Sequence, residues 1–154
     1  MTTMQEIKNH LRSYKTTVNE EKRDANGEVF TPTDLVNQIL DQLDSTLFNS
    51  NKTFLDHSCG NGQFLSEVLI RKLENNIKFE DALASIYGVE IDETNAKNCR
   101  QRLLCGREDL KHIVERNIVC ADALRYHYRF DASYPYDDER KEHEFNDTFD
   151  RFFG

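Results

Sequence analysis

Between Lys52 and Leu124 three short apolar runs, "KTFLDH", "ALASIYGVEID" and "RNIVCADAL", each end on or beside an acid. Between the runs lie stretches with helical periodicity. After the first run, Phe64, Leu65, Val68, Leu69 and Leu73 recur at the spacing of one helix face. After the second, Asp92 or Thr94 can cap a helix carrying Ala96, Cys99, Leu103 and Leu104. The order strand, helix, strand, helix, strand calls for parallel strands joined by crossovers, which is the opening half of a doubly wound α/β sheet. In such sheets ligands bind beyond the carboxyl ends of the strands. The acids Asp56, Glu90 and Asp122 fall at those three ends.

Residues 4–22 read as a mostly polar helix with Ile7, Leu11 and Val18 as a thin apolar stripe. A loop, "RDANGEVFTP", follows, with Asn26-Gly27 as a turn signal and Pro32 as a stop. Thr33 or Asp34 can cap the next helix, in which Leu35, Val36, Ile39, Leu40 and Leu43 predict one buried face. We therefore expect a single domain over 1–154, with 1–26 as a helical extension. Residues 130–154 read as an acidic tail leading into a candidate last strand, "FDRFFG". From Phe130 onward the chain carries eight acids against three bases, which marks a solvated segment before that apolar end.

The chain has 154 residues, enough for one core. Its net charge of -8 disfavours strong binding to phosphate backbones by this chain alone. No apolar run approaches the roughly 20 residues of a membrane helix, and the N-terminus has no apolar signal core. Cys59, Cys99, Cys105 and Cys120 show no CxxC pairing. They read as reduced thiols in a cytoplasm, and no metal site is expected.

The turn "DHSCGNGQFL" at Asp56–Leu65 joins the first strand to its helix. Gly60 and Gly62 let the backbone turn tightly and let a ligand approach. A dinucleotide fingerprint needs a third glycine where Leu65 stands, and a phosphate loop needs G-K-[ST] where Gln63-Phe64 stands. Asp56 would repel a pyrophosphate and favour a cation. S-adenosylmethionine, with an ammonium, a sulfonium and no phosphate, suits that turn. Glu90 can accept from both ribose hydroxyls, Ile91 can pack on the adenine, and Asp122 can accept from its amino group. Each feature has a plainer reading as a helix cap or a first-turn acid. Their occurrence at three successive strand ends favours the ligand.

Four pieces of this sequence together resemble the N6-adenine DNA methyltransferases: "GEVFTP" at Gly27–Pro32, "DHSCGNGQFL", "YGVEID" at Tyr87–Asp92 and "CADAL" at Cys120–Leu124. They cover roughly residues 25 to 125 in the family's order. The resemblance implies a Rossmann-like methyltransferase fold. It implies that Phe30, Thr31 and Pro32 line the methionine side of the cofactor, and that Asp56, Ser58, Gly60 and Gly62 hold its amino-acid end. It further implies Glu90 at the ribose, and Ile91, Asp122 and Ala123 at the adenine. Two departures stand out. His57 replaces the family's proline, and N-P-P-[FY], which aligns the target amine and stacks on the flipped base, is absent. "SYPY" at Ser133–Tyr136 is a degenerate look-alike, set too close behind Phe130-Asp131 to leave room for a strand. No catalytic residue is therefore assigned.

Three functions remain open on these grounds. The chain is a methyltransferase cofactor half whose motif comes from a partner chain or a missing domain, which DNA binding would also need. Alternatively it is a non-catalytic S-adenosylmethionine-binding or regulatory module, or a sulfonium-cleaving enzyme using His57 or a tail acid. Because half a sheet leaves an edge unpaired, self-association or a partner at the last strand is expected.

Overall fold

The structure, a computed structural model, describes residues 3–13, 31–133 and 135–136. The expected helix beyond Ser13, the loop "RDANGEVFTP" up to Phe30, and "FDRFFG" with the tail from Asp137 lie outside the described residues.

The described chain is mixed α/β with a three-stranded parallel sheet in the order β1-β2-β3. The strands are β1 (Phe54–Asp56), β2 (Ile86–Glu90) and β3 (Ile118–Cys120). Before them come α1 (Met4–Ser13) and α2 (Thr33–Leu40). Between β1 and β2 lie α3 (Gln63–Glu74) and α4 (Phe79–Ala84). Between β2 and β3 lie α5 (Glu93–Leu104) and α6 (Lys111–Asn117). The sequence reading joined Ala82–Ser85 to the second strand and left α6 unassigned. The chain instead folds Phe79–Ala84 as a short helix, with Glu80 and Asp81 in the first turn where the helix dipole favours acids. Residues 116 and 117 end α6, so the third strand starts only at Ile118.

Strand parity divides the core. Ile86 and Ile118 face the helices, in a cluster with Leu65, Val68, Leu69, Leu103 and Val114. Val89 faces the other way, into a smaller cluster with Ala121 and Tyr126. On that second face the segment after β3 folds back over the sheet, and Phe130 meets Tyr87 edge-on at 4.8 Å. α3 is the hub, touching β1 and β2 and flanked by α1, α2, α4 and α5.

Two local expectations are corrected. Pro32 occupies the N-cap position of α2, and neither Thr33 nor Asp34 caps it. Only Val36 and Leu40 of that helix are buried, whereas Leu35, Ile39 and Leu43 are exposed. Among the described residues β1 is an edge strand with Leu55 51% exposed, and Ile91, read as packing on the adenine, is 70% exposed beyond the end of β2.

Candidate functional site

The register sets the three acids along the carboxyl ends of the strands. Asp56 pairs with Gly88, two residues before Glu90, and Glu90 pairs with Cys120, two residues before Asp122. Steps of two keep a side chain on the same face of a sheet. Asp56 and Glu90 therefore share the sheet face that carries α3 and α5, and Asp122 continues the staircase along the carboxyl ends of the strands. Asp122 stands in the loop two residues past β3 rather than on the strand itself.

The glycine turn is fastened to this staircase. The Gly60 N–H donates to Glu90 Oε2 at 2.8 Å, and the Asp92 N–H donates to Oε1 of the same carboxylate at 3.1 Å. Each oxygen keeps a further lone pair for a ligand donor. The Cys59 N–H donates to Val89 O, which locks the turn beside the end of β2. Gly60 and Gly62 sit at φ +54° and +97°, the left-handed region that favours glycine. A Cβ on Gly62 would lie 3.0 Å from Cys99 Sγ, so the backbone must pass close over α5 there. Gly88 is needed for a different reason: a Cβ there would meet Cys59 Sγ at 2.8 Å.

Asp56 accepts from the Ser58 N–H at 3.0 Å. Burial pushes its carboxyl up from the ordinary range, with the Ser58 hydrogen bond and nearby His57 pulling the other way. His57 is itself exposed. Asp122 accepts from the Leu124 N–H at 2.9 Å in a tight turn. The Asp122 N–H donates to the Tyr136 hydroxyl at 2.8 Å. The last tyrosine of "SYPY" thus pins the loop after β3, a role that reading the motif as a look-alike did not foresee. Arg125 lies over its ring, 4.8 Å from the centroid.

A cavity of about 460 Å³ opens on the β1 side, lined by Thr31, Asp56 and Ser58 together with apolar side chains of α2 and α3. Glu90, Ile91, Asp122 and Ala123 lie outside it, along the open strand ends. The candidate residues therefore form two neighbouring parts, a walled recess and an exposed shelf. Gln63, not singled out in the sequence, closes the gap between the leading segment and the turn. Its Nε2 donates to Thr31 O at 3.1 Å, which fixes Thr31 and Pro32 against the start of α3. No sequence pattern marks it, because the bond joins residues 32 apart. Phe30 lies outside the described residues. All four cysteines are free thiols. Among the described residues no group of three or more His, Cys, Asp or Glu could hold a metal ion. Among them, too, no helix is long and apolar enough to cross a membrane.

Fold and site together define a parallel α/β chain with an acid-lined glycine turn at its strand ends. The family of N-6 DNA methylases matches residues 12–149, and the chain belongs to that family. It is similar to the type II methyltransferase M.VspI of Vibrio sp. (strain 343), with 30% identity over 123 residues. That match covers 79% of this chain and 26% of the relative, so the chain spans about a quarter of the relative's length. No solved structure matches.

Proposed function

We propose that this chain is the cofactor half of an N6-adenine DNA methyltransferase, built as one Rossmann-like domain and holding S-adenosylmethionine across the strand ends. The observation that carries this reading is the acid staircase with Glu90 tied to the Gly60 N–H. An acid-lined turn beside a carboxylate with lone pairs to spare matches an adenosyl sulfonium better than a phosphate.

The residues fit the group in parts. Asp56 and Ser58 would take the ammonium and carboxylate ends of the methionine moiety in the recess, with Thr31, Pro32 and Phe30 alongside. Gly60 and Gly62 would let it approach the backbone. Glu90 would accept from the ribose hydroxyls. Ile91, exposed at the rim, would lie against the adenine with Ala123, and Asp122 would accept from its amino group. When bound, S-adenosylmethionine would supply an electrophilic methyl group. The chain's own task is to hold and orient it. Transfer to the adenine amino group is proposed where N-P-P-[FY], absent from these 154 residues, is supplied by a partner chain or by further polypeptide. DNA binding belongs with that addition. The setting we propose is cytoplasmic DNA methylation of the restriction–modification kind.

A second reading is a module that binds S-adenosylmethionine without transferring its methyl group. Titration calorimetry with S-adenosylmethionine, followed by incubation of the labelled cofactor with adenine-containing DNA, tests both. Binding with label appearing in DNA supports transfer by the chain as it stands. Binding without label supports the module or a need for the missing motif. No heat of binding overturns the proposal.

A further inference from the structure

The glycine turn is supported from beneath by α5. Cys99 and Arg102, three residues apart and so on one face of that helix, reach two adjacent positions of the turn. Cys99 Sγ underlies Gly62. Arg102 underlies Asn61: its Nη1 donates to Asn61 O at 3.4 Å and to Asn61 Oδ1 at 3.3 Å. Both residues are 2% exposed.

The other side of the same guanidinium holds α1. Arg102 Nε and Nη2 both donate to Leu11 O, at 2.8 and 2.6 Å. Leu11 lies in the last turn of α1, where carbonyls lack helical partners and a positive charge is favoured by the dipole. The attachment is mutual, since His10 Nε2 lies 3.1 Å from Arg102 O. Independent ties hold α1 elsewhere, through Arg12 to Glu67 and Lys8 to Glu74.

A buried cation is costly unless its donors are satisfied, and an apolar side chain would fill this space at lower cost. What an apolar residue could not do is join the end of α1 to the turn. Lysine could not do it either, because its point charge lacks the planar fork that serves two partners at once.

We propose that Arg102 is a positioning residue for the cofactor turn: its guanidinium, held by Leu11 O at the end of α1, sets the backbone at Asn61 and hence the affinity for the ligand. This rests on the function proposed above, because the affinity concerned is that for S-adenosylmethionine. Arg102 touches no ligand in this scheme; it acts through Asn61.

The test uses the full chain and three variants: Arg102→Lys, Asn61→Ala, and the double change Arg12→Ala with Glu67→Gln. The last removes the Arg12–Glu67 tie and leaves the Arg102 link between Leu11 O and the turn in place. Readouts are the amide NMR shifts of Gly60–Gly62 without ligand, the thermal midpoint, and the Kd for S-adenosylmethionine. Arg102→Lys is expected to move the Gly60–Gly62 amides and weaken binding by about tenfold or more. Asn61→Ala should weaken it in the same direction while leaving α1 docked. The double change should lower the midpoint with affinity held within about twofold. The proposal is overturned if Arg102→Lys lowers the midpoint but leaves turn shifts and affinity unchanged. It is also overturned if affinity simply follows the midpoint across all variants. Should the unaltered chain bind no S-adenosylmethionine, the functional reading fails, while the ligand-free shifts still decide whether Arg102 sets the turn.

Discussion

Asp56 shows how a single residue can trade stability against binding. Its carboxyl is pushed up by burial, so the charged form is the one the fold disfavours. An acid whose folded pKa is raised contributes stability at low pH and loses it as pH rises through the raised value. Asp56→Asn keeps an acceptor for the Ser58 N–H and removes that loss. The variant should therefore gain stability relative to the unaltered chain between about pH 4 and pH 7. Urea denaturation at both values checks this, and a difference that does not change with pH refutes it. On the proposed function the same variant binds S-adenosylmethionine more weakly, since its cationic end loses a counter-charge. Asp56 and Glu90 were legible as site candidates because an acid closing an apolar run is a local pattern. That Glu90 would hold the Gly60 N–H was not legible, since the bond joins residues 30 apart.

At the scale of elements, α5 carries two loads from one short sequence. Its start is fixed by Asp92, whose side chain accepts from the Asn95 N–H at 2.9 Å. That cap was one of two readings the sequence left open, and the local geometry chose Asp92 over Thr94. Asp92→Ala should cost about 1 kcal/mol of stability, measured by urea unfolding. The Glu90 carboxylate should hold its place, because it accepts from the Asp92 backbone N–H, which alanine retains. A loss well below 0.5 kcal/mol, under the usual range for such caps, would mean that Asn95 finds another acceptor. α4 and α6 were missed for a common reason. They are 6 and 7 residues long, shorter than the window in which helical periodicity becomes visible. Tertiary packing, of α4 against α3 and β2 and of α6 against α4, α5, β2 and β3, stabilises them more than propensity does.

Over the whole molecule the helices and the sheet leave one side uncovered among the described residues. Leu55 on the edge strand is 51% exposed, and Leu35, Ile39 and Leu43 of the α2 region are exposed alongside. In a parallel strand the N–H and C=O of one residue point the same way. The Phe54 N–H donates to Ser85 O on the β2 side, so Leu55 turns its backbone groups outward. The last strand, where self-association or a partner was expected, lies outside the described residues; we propose self-association at this β1 side, which also borders the recess with Asp56. Light scattering should show mass rising with protein concentration. Leu55→Lys should move the chain toward monomer without lowering its thermal midpoint. A sharp monomer at high concentration for the unaltered chain would count against this reading.

The alternation of strands with the longer helices and the parallel sheet followed from sequence alone, because each depends on periodicity within a short stretch of chain. Which apolar faces are buried, which acid grips the glycine turn and which arginine ties α1 to it were decided only by the tertiary structure. Those contacts join residues 30 to 91 positions apart, and their strength comes from burial that no short stretch of chain can specify.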